Sequence, residues 1–331
     1  MKKIIFYVLI LLCFNCYSDQ KTFQGEIYGL ITDDKSIFTI ILNNGCETLQ
    51  RIYPNHQETS PLPRYKSFHR YYQIIKNKII FLSDNDIFIY NTDLMLIKKL
   101  KLPEQDPDNY SFNFSLTMLN KYSENFVILI ESRDRLFILK DNELTESLNE
   151  LEFLGNKLDF KNNTLAINGN PISMKFIPAR MKSNKFSFAM HFLFVLNKEL
   201  FLIRNCLYEN SGRLLATLPF TFGVDDAVII EDEYILINPE NIVIINKKGG
   251  IIKVIDEGDP YILGNLNKDQ ILLQLDKHYL GLLSLKTFDL KKIDLGEKIS
   301  SAVLLDNKLF YVQKDNYKIL KIIPIKDIFK E

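Results

Sequence analysis

The chain has 331 residues, with 41 lysines and arginines set against 41 aspartates and glutamates, so its formal net charge at pH 7 is zero. At 47% hydrophobic residues it can bury a large core. It lacks the basic excess needed to neutralise a phosphate backbone, which argues against a nucleic-acid partner, and no run of five like charges marks an electrostatic tail.

In chain order, Met1-Lys2-Lys3 precedes an unbroken apolar run from Ile4 to Phe14, followed by Asn15-Cys16 and a polar segment from Tyr17 to Thr22. A positive end and a short apolar stretch have the layout of an export signal. The run is shorter than the roughly 18–20 apolar residues that span a bilayer. This arrangement resembles the precursor of a bacterial lipoprotein, in which cleavage leaves a lipid-modified cysteine as the first mature residue. Asn15 before the cysteine is similar to the relaxed motif of diderm bacteria such as spirochaetes, and bulky Phe14 departs from the strict one. The resemblance implies a signal peptide over 1–15, lipidation at Cys16 and a short tether over 16–24. It also implies export to a membrane-anchored position facing the periplasm or the cell surface. An ordinary cleaved signal with an incidental Cys16, or an uncleaved anchor, are the alternatives.

From Gly25 onward, short β-favouring runs recur between Asn, Asp, Lys and Gly turns. IYGLIT and IFTIIL, within Gly25 to Arg51, open the series. Tyr71 to Leu102 reads as four strands (YYQII, IIFL, IFIY, LMLIKKLKL). A unit near Phe112 (SLTML, NFVILI, RLFILK) and one over 185–219 (FLFVL, ELFLIR, RLLATL) follow. The clearest repeats are Ala227 to Ile255, the segment from Tyr261, and a less complete one from Ala302. The middle runs, such as Ile79-Ile80-Phe81-Leu82 and Ile242-Val243-Ile244-Ile245, are apolar on both faces, so both faces are covered. Turns of three to five residues leave no room for crossover helices, so the sheets are antiparallel. The period approaches the roughly 40–45 residues of a four-stranded propeller blade.

The predicted fold is therefore all-β, a single β-propeller over residues 25–331. Dividing residues 16–331 by about 45 per blade centres the count on seven, with six and eight open. An irregular insertion is expected around 142–180, where Leu144, Leu148, Leu151 and Leu154 fall at helical spacing and Gly155 could cap a short helix, with extra hairpin strands around Leu158–Ile177 whether or not that helix forms. Pairing of Gly25–Leu42 with Lys318–Ile325 would close the ring and hide sheet edges. The body is similar to that of bacterial lipoproteins with a propeller domain. It has no Trp, and hence no WD pair.

Cys46 and Cys206 are the cysteines outside the signal; they form either one long-range disulfide or two buried thiols. His56, His69, His191 and His278 are scattered, with no spacing suited to metal ligation, and no metal or cofactor is expected. The common phosphate-loop, dinucleotide, hydrolase-elbow and zinc-protease motifs are absent. Ser83-Asp84-Asn85-Asp86 and Asp256-Glu257-Gly258-Asp259 read as turns rather than cation loops. Asp33-Asp34 and Asp225-Asp226 are adjacent pairs, which point to opposite faces of a strand and are not automatically dyads. Arg133-Asp134-Arg135 reads as a charged hairpin tip. The cluster Phe68-His69-Arg70-Tyr71-Tyr72 stands just before an inner strand, and His69, Arg70 and Tyr72 are the first candidates for contacting a ligand or partner.

No catalytic residues are assigned. The expected role is a membrane-tethered, non-enzymatic platform for an envelope protein partner. The alternative is a small-ligand or glycan-binding propeller using the channel mouth, and a glycan-cleaving enzyme is the third reading.

Overall fold

The computed structural model describes residues 19–33, 35–53, 58–62, 70–75, 77–83, 86–101, 114–119, 127–132, 135–140, 142–147, 150–161, 164–172, 193–221, 223–230 and 233–329. Among them the strands form eight four-stranded sheets. In chain order these are sheet 1 (26–61), sheet 2 (70–101), sheet 3 (114–147), sheet 4 (150–171), sheet 5 (193–217), sheet 6 (226–255) and sheet 7 (261–294). Sheet 8 takes three strands from 299–324 and its fourth, Asp19–Thr22, from the other end of the chain. The architecture is that of a β-propeller. The chain divides into two compact units, one holding sheets 7, 8 and 1 and the other sheets 2 to 6.

The central strands are buried from both sides because successive side chains point to opposite faces. In the first unit, Phe310 and Val312 of Lys308–Gln313 pack with Ile27, Leu30 and Ile37 of sheet 1. The intervening Leu309 and Tyr311 pack with Leu263, Leu272 and Leu280 of sheet 7. The second unit repeats the device. Phe201 and Ile203 of Leu200–Ile203 face Leu158 and Leu165 of sheet 4, and Leu200 and Leu202 join Leu236 and Val243 of sheet 6.

Tight turns set the register. Asn44-Gly45, Leu154-Gly155, Asn168-Gly169 and Asp306-Asn307 each place two consecutive residues at positive φ, the geometry of a two-residue hairpin turn. At Leu154-Gly155 this overturns the helix expected from the leucine spacing. Glu143–Ser147 completes sheet 3, and Glu150–Phe153 hairpins onto Asn156–Lys161 to begin sheet 4. Leu144 and Leu151 therefore lie in two different sheets, and Leu148 lies outside the described residues. The strands Asn156–Lys161, Thr164–Ile167 and Asn170–Pro171 complete sheet 4 within the stretch where hairpin strands are expected, and 173–192 lie outside the described residues.

Closure also differs from expectation. Ile319 to Ile322 do pair with the N-terminal part of the chain, but with Asp19–Thr22; Gly25–Leu42 belongs to sheet 1. The polar residues Asp19 to Thr22 carry no apolar run that would mark them as a strand, and they lie within the segment expected to be a tether. Their pairing explains why the repeat from Ala302 is one strand short. Sheets 1 and 8 are further joined where the Leu30 N–H donates to Ser301 Oγ at 2.9 Å and the Tyr53 hydroxyl donates to Asp306 at 2.9 Å.

Sheet 8 is pinned by Glu297, in the link from sheet 7. Its carboxylate accepts from Lys321 Nζ at 2.7 Å and from the Tyr311 hydroxyl and the Gln313 amide. Burial alone would raise its pKa, but the hydrogen bonds from Lys321, Tyr311 and Gln313 outweigh it and hold the carboxyl below its ordinary value. A depressed carboxylate stabilises the fold above its unfolded pKa of about 4.3, and this stabilisation is lost as pH falls through the folded value. Glu297→Gln is expected to cost on the order of 1–3 kcal/mol at pH 7. Thermal unfolding across pH should show the gap to wild type closing below about pH 4; a gap independent of pH contradicts the ionised pin.

Candidate functional site

A cleft of about 720 Å³ lies in the first unit, beside the strand that closes sheet 8. One wall is the segment Thr22 to Gly25 as the chain leaves that strand; the other is the face of sheet 1 carrying Ile41, Asn43, Cys46, Thr48, Gln50 and Thr59. Strand Cys46–Tyr53 presents these groups by alternation: Leu49 is buried, and Cys46, Thr48 and Gln50 take the more open side. Gln50 Nε2 donates to Thr48 Oγ1 at 2.9 Å, orienting the amide. Gly25 is required where the walls meet, because a Cβ there would lie 2.3 Å from the Leu42 carbonyl oxygen. The described lining bears hydroxyl, amide and thiol groups and no charged side chain. It can exchange hydrogen bonds with a neutral polar ligand, and it holds no carboxylate pair for acid–base work.

A different chemistry gathers at one end of sheet 6. Asp225 and Asp259 are anchored there, their N–H groups donating to the carbonyls of Ile237 at 2.8 Å and Pro239 at 2.9 Å. The two acidic segments, separate in sequence, are thereby brought together. The Asp225 carboxyl is raised by loss of water, then by the charges of Asp226 and Asp259. Tyr261, an exposed ring, has its hydroxyl raised by loss of water and then by Asp226. Asp225 is itself exposed, so the cluster is a crowded acidic surface rather than a buried acid.

The other sequence candidates are dispersed. Asp33 caps its own turn, accepting from the backbone N–H groups of Lys35 at 3.1 Å and Ser36 at 2.6 Å, and Asp86 pairs with Lys99 at 2.9 Å. Arg70 and Tyr72 lie in strand Arg70–Ile75, the first strand of sheet 2; Cys16, His69, Asp34, Asp84, Asn85, Arg133 and Asp134 lie outside the described residues. The Cys46–Cys206 disulfide is not formed. The two residues open the third strands of different sheets, Cys46 exposed and Cys206 half-buried, so they are not a pair of buried thiols either. The cleft residues were missed because Thr, Gln and Asn carry no motif; the signal available was the polar alternation Cys46-x-Thr48-x-Gln50.

Outer strands expose different side chains at their edges. Leu290–Asp294 exposes Lys291 and Lys292, and Leu96–Lys101 exposes Leu96 and Ile97 beside Lys98 and Lys99. Ile251–Ile255, the last strand of sheet 6, exposes Ile251, Ile252 and Val254 (47%, 44% and 39%) beside a single lysine. A row of β-branched residues on an open edge is suited to accept another strand.

No protein-family model matches the chain, and no curated protein matches it in sequence. The fold is similar to that of a chain in the crystal structure of the mitotic checkpoint complex, at 10% identity over 92% of this chain and 93% of that one, with a TM-score of 0.53. BamB from Moraxella catarrhalis matches at 10% identity over 92% of this chain and 84% of BamB, with a TM-score of 0.41. PorZ, a surface component of the type-IX secretion system of Porphyromonas gingivalis, matches at 9% identity over 93% of this chain and 38% of PorZ, with a TM-score of 0.48. At such identities the likeness defines a class, the β-propellers, and nothing narrower. Among the described residues no helix is long and apolar enough to cross a membrane.

The cleft makes a prediction for its thiol. In native protein without reductant, a maleimide is expected to modify Cys46 at least tenfold faster than Cys206, as read by site-resolved mass spectrometry, because exposure governs access. Equal rates, or protection of both, contradict the placement of Cys46 at the open side of the cleft.

Proposed function

We propose that the chain is a membrane-tethered, non-enzymatic β-propeller that serves as a protein-interaction platform in the cell envelope. The observation that carries this reading is the outer strand Ile251–Ile255, whose edge pairs with no strand among the described residues and whose apolar side chains face solvent. An extended segment of a partner protein would add a fifth strand, gaining main-chain hydrogen bonds and covering Ile252 and Val254. The tether rests on the lipoprotein-like start of the chain, with Cys16 as the acylated residue. Several acyl chains at about 0.8 kcal/mol per buried CH₂ would hold the domain at a bilayer.

A second reading is favoured by the uncharged lining of the cleft: a neutral glycan or similar polar ligand bound between Thr22–Gly25 and Gln50. A neutral oligosaccharide that slows maleimide modification of Cys46 would support it; no slowing by any neutral sugar removes it.

Crosslinking in intact cells through a C-terminal tag tests the platform. Wild type is expected to retain an envelope protein near stoichiometrically. Ile252→Lys, at an exposed position that leaves the fold intact, should reduce that capture at least tenfold, and Cys16→Ala should lose labelling by a fatty-acid analogue. Capture unchanged by Ile252→Lys contradicts the docking edge, and equal labelling contradicts the tether.

A further inference from the structure

Three lysines converge at one end of the first unit. Lys277 lies in the turn between the second and third strands of sheet 7, Lys298 in the link from sheet 7 to sheet 8, and Lys314 in the turn between the second and third strands of sheet 8. Backbone hydrogen bonds tie the three segments together. The Ile299 N–H donates to the Lys277 carbonyl at 2.6 Å, and the Lys314 N–H donates to the Lys298 carbonyl at 2.9 Å. The side chains meet as well. Lys314 is pulled below its ordinary pKa by its contact with Lys277, then by loss of water and the charges of Lys277 and Lys298, with Asp315 opposing.

Two of the neighbouring carboxylates are directed elsewhere, and Asp315 offsets only part of the repulsion on Lys314. Glu297 is turned toward Lys321, and Asp276 accepts the backbone N–H of Lys277 at 2.5 Å. Among the described residues none of the three lysines forms a salt bridge, whereas Lys286 and Lys157 each hold a carboxylate. Like charges gathered at one place raise the local potential and repel one another, and an anion seated among them relieves that repulsion. Three ammonium groups carry more positive charge than one carboxylate offsets. They match a group with three or more charged oxygens.

We infer that Lys277, Lys298 and Lys314 form a binding site for a phosphate group at the end of sheets 7 and 8. The phosphate could be carried by a soluble ester or by a lipid headgroup. Strand Asp19–Thr22 enters sheet 8 at the opposite end, since Asp19 pairs with Ile322 and Thr22 with Ile319, close to the Lys314 turn. An anchor at Cys16, as proposed above, would therefore hold the lysines away from the anchoring membrane. This favours the soluble source, and that preference alone rests on the tether.

Thermal unfolding of the purified protein in inorganic phosphate and in chloride at matched ionic strength tests the site. Sedimentation with phosphatidylglycerol vesicles forms a second arm. Phosphate is expected to raise the midpoint by on the order of a few degrees through selective binding to the folded state. Lys277→Gln and Lys314→Gln should abolish the rise, and Lys314→Arg should keep it. In chloride, Lys314→Gln should unfold no lower than wild type, because a repulsion has been removed, so its lost response is not misfolding. A phosphate response confined to the charge-retaining proteins supports the site and assigns a soluble source. Vesicle binding that the glutamine variants lose, without a response to inorganic phosphate, supports the site and assigns a headgroup. No response in either arm, or responses shared equally by the glutamine variants, overturns it. Failure of the tether is read separately, from the labelling of Cys16→Ala.

Discussion

The alternation of side chains along the central strands is the interaction on which the rest of the molecule depends. Lys308–Gln313 contributes Phe310 and Val312 to one apolar layer and Leu309 and Tyr311 to the next. A strand of this kind has no solvent face, so each sheet must be flanked on both sides, and a lone sheet would expose one of its two apolar faces to water. Two-sided apolar strands are thus a constraint on architecture as well as a source of stability. They explain how an antiparallel fold without tryptophan fills its inter-sheet layers with Phe, Tyr, Leu and Ile.

Polar groups do a different job at the sheet ends. Asn156 donates to the Lys198 carbonyl at 2.7 Å, Asn168 to the Asn210 carbonyl at 2.9 Å, and the buried Asn241 to the Pro219 carbonyl at 3.0 Å, each joining one sheet to the next. Glu297 and its three donors do the same between sheets 7 and 8. Because the layers are filled by aliphatic and aromatic groups, specific chemistry is left to the turns and outer edges. There lie the uncharged cleft, the Asp225 cluster, the lysine triad and the strand Ile251–Ile255.

Most of the architecture was legible in the sequence because two-sided apolar runs and short turns leave few alternatives. Sheets 2, 6 and 7 follow from runs such as Ile79–Phe81 and Ile242–Ile245 with polar turns between them. What escaped notice was weakly patterned. Asp19–Thr22 is a strand because a partner edge awaits it, and nothing in its polar residues says so. The leucines from 144 to 154 imitate a helix, but Leu144 belongs to sheet 3, Leu151 to sheet 4, and Leu154 stands at positive φ in a hairpin turn. The candidate sites were less legible. Adjacent acidic pairs were visible, but the meeting of Asp225 with Asp259, or of Lys277 with Lys314, depends on which turns the sheets bring to one end. The thiols of Cys46 and Cys206 could not be placed without knowing which sheets they open.

Hydrogen exchange on Phe310→Ala tests the two-sided packing most directly. Phe310 is fully buried and belongs to the layer shared with sheet 1, so its truncation should cost about 3–5 kcal/mol. Amide protection is expected to fall in Glu26–Thr32 of sheet 1 as well as in sheet 8. Loss confined to sheet 8, with sheet 1 as protected as in wild type, would contradict it.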